Sequence, residues 1–490
     1  MTPWSELKEY RGRRRLFVDG RPFVVLGIQF DFLNCARVED FDYLFPHTVR
    51  LGCNTVFFPV QWFVVEPAPG RFDWTVVDRC LARCREHGLR LSLLWFGTNQ
   101  GGDARPAPEW LKGDQRLARP RCGPGGVPLP GTLCVENPAL LSAEKRAFDA
   151  LLAHLAAAEG GSHTVILLQV ENEPCISMHH PKSDARTRHL LDPWVARCYC
   201  PVCDERFARE GGGEWHFSAR SIVRYLRGLL ADQKRVFPVP AYVNFPVNPL
   251  RPGEDLDIYL DECPEVDIVA PDYYGFSGSD LAFTMHYFTR GRNVPFIAEH
   301  STESVGQADR NLYSAVLEHG AVAFDPWAID HAFGWRAWRD QVTERPFVAR
   351  DGSWSDAAVD FGRAQTALAA VIDPLAAAGP EEVLFYIGEG LPRTMEEKRW
   401  GLHWRMAAGP RGKWVAVRTD TNEVTLAGTD LLAVASPLDP GRSLRIETGR
   451  WRDGRWVTEG AAPAREDPAG GPAREIDLRP SGAVRILVVS

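Results

Sequence analysis

The sequence predicts an α/β protein: a (β/α)₈ barrel followed by a smaller C-terminal β-sandwich-like domain. Three observations carry that prediction. Eight short apolar runs alternate with longer amphipathic stretches, the pattern of parallel strands joined by helical crossovers. The runs begin apolar and end polar or aromatic, at Gln29, Trp62, Trp95, Glu173, Asn244, Tyr274, Glu299 and Trp327; a barrel carries its site at the C-terminal strand ends. From about residue 376 the helical period gives way to short runs separated by Gly and Pro.

The candidate strands are 23–30, 55–62, 89–97, 164–173, 240–246, 267–275, 294–300 and 321–330. Helices are expected over 73–88, 137–160 and 217–236, where apolar residues recur at three and four. The first opens on an Asp and stops at "HG", both helix-end signals. An open doubly wound sheet would want a Gly-rich phosphate turn after its first strand, and "GIQFDFLN" offers none. Two insertions, 98–135 and 174–216, follow the third and fourth strands, where long loops shape a pocket. The expected division is a catalytic barrel over 1–375 and a β-domain over 376–490, with "EGAAPAREDPAGGPARE" as a loop within the latter.

The net charge of -8 argues against a nucleic-acid or anionic-membrane partner. No run reaches the roughly 18 apolar residues of a membrane span, and the N-terminus has no apolar signal core, so a cytoplasmic protein is expected. Sixteen tryptophans supply flat faces for sugar stacking, although large cores use Trp as well.

The stretch "TVILLQVENEPC" ends an apolar run in Glu171, Asn172 and Glu173, and "VPFIAEHS" ends another in Glu299. Burying carboxylates is costly unless pairing or chemistry offsets it. In an eight-stranded barrel the fourth and seventh strand ends face each other across the mouth, and two opposed carboxyls suit glycoside hydrolysis. Regular alternation would put Glu171 and Glu173 on one face and Asn172 opposite; Glu173, nearest the mouth, is the better acid.

"LLQVENEP", "NTVFFPVQWFVVEPAPGRFDW", "APEWLKGDQ" and "PFIAEHS" resemble the retaining glycoside hydrolases of clan A, above all the β-galactosidase families 35 and 42 and the family 35-like branch with an extra C-terminal β-domain. The resemblance covers residues 16 to about 335. It implies a retaining exo-β-glycosidase, with β-galactosidase first and glucoside, fucoside, arabinoside or mannoside specificity as alternatives. Glu173 would be the acid/base and Glu299 the nucleophile. Asn172 would bond the sugar 2-hydroxyl, which requires a break in the strand alternation. Tyr274, ahead of Tyr273, would bond the nucleophile. Trp327 and Trp62 would flank the sugar, and Glu171, Glu66 and Asp330 are hydroxyl-binding candidates. "AEHS" departs from the usual surroundings of the nucleophile, which bears on the identity of the sugar. The partner implied is a carbohydrate, and a dimer or trimer is the assembly implied.

Among eleven cysteines, "CYCPVC" places Cys198, Cys200 and Cys203 at the short spacing of a thiolate metal clip. Resemblance to the family 42 zinc site makes Cys134 the preferred fourth ligand, then Cys122, then Cys175. Four thiolates would close the site, so a structural zinc is expected and no cofactor for catalysis. A catalytic zinc would need His or carboxylate ligands and an open position; His179, His180 and His189 lack the H-E-x-x-H spacing. Cys80 and Cys84 share a helix face and read as core. A non-catalytic carbohydrate-binding barrel is the remaining rival, favoured if either Glu173 or Glu299 faced away from the pocket.

Overall fold

The computed structural model describes residues 3–174, 197–246, 256–275, 278–300, 307–330, 346–461, 465–466 and 472–489. All eight expected runs form strands: Val25–Gln29, Thr55–Gln61, Arg90–Gln100, Val165–Asn172, Ala241–Pro246, Ile268–Tyr273, Ile297–His300 and Ala323–Pro326. They pair in parallel, in chain order, and close into a barrel. We number them one to eight. Inward side chains fill the lumen by period two: Phe57 from strand two, Leu94 and Phe96 from three, Leu167 from four, Tyr242 from five, Ile268 and Ala270 from six. Gly27 is required where it stands, because a Cβ there would lie 2.5 Å from the Phe57 ring.

Helices pack outside through their apolar stripes. Thr75–His87 buries Val76, Val77, Cys80, Leu81 and Cys84 and ends at Gly88, whose φ of 66° is the left-handed cap glycine tolerates. Pro138–Glu159 is capped by Asn137, whose side chain accepts from the Ala139 amide. The expected helix over 217–236 is two pieces, Glu214–Leu230 and Gln233–Val236. An N-terminal sheet, Ser5–Tyr10, Arg13–Val18 and Arg21–Pro22, was not anticipated. It adds Leu16 and Val18 to the lumen core and ties to the start of strand four, through Trp4 Nε1 to the Val165 carbonyl (2.8 Å) and Ser5 Oγ to that of Ile166 (2.7 Å).

Beyond the barrel, the helix Ile372–Ala377 spans the expected domain division, and antiparallel strands run from Val383 to Val489. The strands form one nine-stranded sheet. Its two long strands, Leu402–Asp420 and Glu423–Pro437, change register between Ala408 and Lys413. Alternation decides their faces: Trp414 and Ala416 join the sheet's own core, while Val415 and Val417 join the core of the barrel. The expected loop over 459–475 lies largely outside the described residues.

Lys413 pairs with Asp309 (2.7 Å) beneath this contact, with side chains only 4% and 5% exposed. Losing one partner would strand the other charge in a dry interior. Lys413→Ala is therefore expected to lower the unfolding free energy by about 3–5 kcal/mol in urea titrations. A Lys413→Met/Asp309→Leu double variant should recover most of that loss.

Candidate active site

Strand four does not keep its alternation at the mouth. Glu171 has a φ of 62° and Glu173 a φ of 47°, left-handed values that non-glycine residues rarely adopt. The break at Glu171 is held by hydrogen bonds: its carboxylate accepts from the amides of Gly97 (3.0 Å), Thr98 (3.1 Å) and Asn99 (3.0 Å). Asn172 consequently lies on the lumen side, where its Oδ1 accepts from Gln169 Nε2 and Asn244 Nδ2, both at 3.0 Å. Glu173 follows, its amide donating to Asn244 Oδ1 (2.9 Å).

Carboxylate oxygens of Glu173, Asp272 and Glu299 all approach within 4.8 Å of one another. Glu299 accepts from the Tyr274 hydroxyl and from Asn244 Nδ2 (3.3 Å). Burial, then the adjacent Glu173 charge, push Glu299 up to about 8, while donation from Tyr274 and Gln29 pulls it down. The upward push from Glu173 exists only while Glu173 is ionised. Tyr273 points elsewhere, tilted against His300 with ring centroids 5.8 Å apart.

Trp327 is half-buried at the end of strand eight. Its indole Nε1 lies 3.1 Å from the Gln29 carboxamide oxygen, once that amide is oriented to donate to Asp325 Oδ2 (3.2 Å). Asp325 is fully buried, and burial raises its pKa well above the usual carboxylate range. Sequence reasoning passed over Asp272 and Asp325, and it placed Gln29 and Asn244 at strand ends without giving them a role. The available signal was an acid inside an apolar run, "IVAPDYY" and "VAFDPW".

Three expected sugar contacts are placed elsewhere. Glu171 is fully buried behind the lumen, because amide donors draw its side chain outward. Trp62 is also fully buried: strand two ends at Gln61, and Trp62 starts a short helix with its indole edge-on to Trp110 and its Nε1 on Glu66 Oε2 (2.6 Å). Glu66 spends its other oxygen on the Gly70 amide (2.7 Å) and fixes that loop. Asp330 sits at the mouth, but both oxygens are engaged, by the Asp31 amide and Asn34 Nδ2, each at 2.8 Å. Burial pushes it up to about 6.

Cys134, Cys198, Cys200 and Cys203 form a buried group that could hold a metal ion. Cys134 Sγ lies 3.9, 3.7 and 3.5 Å from the other three sulfurs. The Cys122 amide donates to Cys198 Sγ (3.4 Å), and an Arg119 guanidinium faces Cys134 Sγ (3.7 Å). Cys175, His179, His180 and His189 lie outside the described residues. Among the described residues no helix is long and apolar enough to cross a membrane.

Behind strand four, Glu171 meets a second buried acid, Glu144, which accepts from Trp95 Nε1 (3.0 Å), Thr98 Oγ1 (2.7 Å) and the Tyr225 hydroxyl (2.6 Å). Burial raises the pKa of both. Acids raised in this way bind extra protons when folded. Their contribution is full below the ordinary Glu range, about 4.3, and is lost as pH climbs toward the folded values. Glu144→Gln, able to donate to Glu171, should flatten the fall in urea stability between pH 5 and 8 by up to about 1 kcal/mol per pH unit.

No protein-family model and no curated protein matches this sequence. Solved structures do share its fold. A β-galactosidase from the psychrophilic Marinomonas ef1 superposes with a TM-score of 0.54 at 13% identity, over 74% of this chain and 62% of that one. A β-galactosidase from Bacillus circulans sp. alkalophilus gives 0.54 at 15% identity, over 72% and 57%. The match thus covers less than two thirds of either relative's length. At this identity the likeness is one of fold alone.

Proposed function

We propose that the protein is a retaining exo-β-glycosidase, with a β-galactoside as its first-choice substrate. The observation that supports this reading is the approach of Glu173 and Glu299 to within 4.8 Å across the barrel mouth. Retaining enzymes hold their two carboxyls about 5–5.5 Å apart and inverting enzymes about 6.5–9.5 Å. Glu299, charged and held by Tyr274, attacks the anomeric carbon. Glu173 gives its proton to the leaving oxygen. Once Glu299 is esterified its charge is gone, and Glu173 can take a proton from the incoming water. Asn172 has its Oδ1 occupied by two donors, which leaves Nδ2 to donate to a sugar oxygen. The half-buried Trp327 offers a face for the ring. Exo action and galactose rest on the motif resemblance and on the two β-galactosidases that share the fold.

The metal proposed for the four cysteines is zinc. With Zn–S of about 2.3 Å a tetrahedral site has sulfur–sulfur edges near 3.8 Å, and the spacings from Cys134 run from 3.5 to 3.9 Å. Zinc there would offset half of the charge of four thiolates and clamp the insertion after strand three to the one after strand four; four protein ligands leave it no position for substrate. Four reduced thiols suit a reducing compartment such as the cytoplasm.

A panel of nitrophenyl glycosides should show turnover of the β-galactoside above the gluco, fuco, arabino and manno analogues, with retention by proton NMR. Glu173→Gln should lose about 10²–10⁴-fold and Glu299→Gln all measurable turnover. Full activity in both variants would overturn the roles given to Glu173 and Glu299; a wild-type protein that binds sugars but turns over none of the panel would favour the carbohydrate-binding barrel. Metal analysis should return one zinc per chain. Chelation or Cys203→Ser should lower the melting temperature and reduce activity only in step with unfolding; a prompt loss with the fold intact would contradict a structural role.

A further inference from the structure

Asp272 lies on strand six, directly across the ladder from Glu299, and is fully buried. Its Oδ2 accepts from Asn244 Nδ2 (3.0 Å), while its Oδ1 has no donor. Its carboxyl lies beside that of Glu173: the carboxyl oxygens of these two residues and Glu299 lie within 4.8 Å of one another. Among the described residues, the titratable groups around it are Glu173 from strand four, Tyr242 from strand five, Tyr274 just past strand six and Glu299 from strand seven; none of these is a cation. Two carboxyls this close, one with a buried oxygen that has no donor, are costly as two bare acceptors. A proton between them removes the repulsion and the unsatisfied atom together.

We infer that Asp272 carries a proton on Oδ1 and donates it as a hydrogen bond to one oxygen of Glu173, so that Glu173 presents its own proton on the other oxygen, toward the leaving group. The inference rests on Glu173 being the acid/base. Asp272 is then a positioning residue, acting through Glu173 and never touching substrate. In the first half-reaction the bond from C1 to the leaving oxygen breaks, Glu299 bonds to C1, and the Glu173 proton passes to the departing oxygen. Asp272 keeps its proton and now donates to a carboxylate. In the second half-reaction water bonds to C1, its proton goes to Glu173 and the C1–Glu299 bond breaks. Asp272 ends as it began. Asn244 supports the arrangement from both sides, because one carboxamide accepts from the Glu173 amide and donates to Asp272 Oδ2.

Leaving groups that need protonation provide the test. Asp272→Asn can still donate to Glu173 and accept from Asn244, and should keep kcat/KM within about 5-fold of wild type. Asp272→Ala should lose about 10- to 100-fold on phenyl or alkyl glycosides, yet under about 5-fold on dinitrophenyl glycosides, whose departure needs no acid. Equal loss on both classes, or an Asn variant as poor as Ala, would overturn the inference. Infrared titration reads the same proton without turnover: the protonated-carboxyl absorption at neutral pH should weaken in Asp272→Asn. An unchanged band would overturn the inference in an active enzyme. A wild-type protein inactive on every glycoside but showing that band would overturn the glycosidase reading and leave the Asp272 proton standing. Melting curves of both variants exclude misfolding as the cause.

Discussion

Negative charge is costly in the water-poor upper lumen of the barrel, and that cost governs the site. Glu173, Asp272, Glu299 and Asp325 converge there, and among the described residues the groups that shift Asp272, Glu299 and Asp325 include no cation. Such a cluster cannot hold four charges. Donors gather on one of these acids: Tyr274 and Asn244 both donate to Glu299. Asp272 and Asp325 each retain one buried oxygen without a donor, as a protonated acid would. The carboxamides of Asn244 and Gln29 act as neutral spacers that link the acids without adding charge.

A second constraint is the backbone at the end of strand four. Left-handed conformations at Glu171 and Glu173 cost of order 1–3 kcal/mol each. The surrounding structure offsets this by offering three amides of the strand-three loop to Glu171. Room for that arrangement is tight. A Cβ at Gly97 would lie 1.9 Å from Glu144 Oε1, so glycine is required there for its lack of a side chain. The outward turn of Glu171 is what allows Asn172 and Glu173 to reach the lumen in succession. The support reaches outward through Glu144 to Tyr225 on a surrounding helix.

Other parts of the chain hold this end of the barrel in place. The cysteine group joins the hairpin that carries Cys122 and Cys134 to the segment that returns after strand four. The N-terminal sheet plugs the opposite end of the lumen and grips the start of strand four. The C-terminal sheet presses Val415 and Val417 into the barrel's own core, with Lys413 and Asp309 paired beneath.

The sequence by itself determined the eight strands, their order and parallel closure, and the change to β-structure near residue 380, because hydrophobic period and turn chemistry are local properties. It also placed Glu173, Glu299, Tyr274 and the four cysteines at chain positions that the fold brings together. Tertiary structure alone decided which way the side chains at the mouth turn. Glu171 and Trp62 looked like contacts because strand-end position suggests the lumen. Amide donors from another strand drew the one away, and the end of strand two with a packed indole cluster drew the other. Asp272 and Asp325 were hidden for the opposite reason: an acid within an apolar run carries no mark of its neighbours. Its protonation depends on carboxyls and amides contributed by strands far apart in the chain, and only closure of the barrel sets those distances.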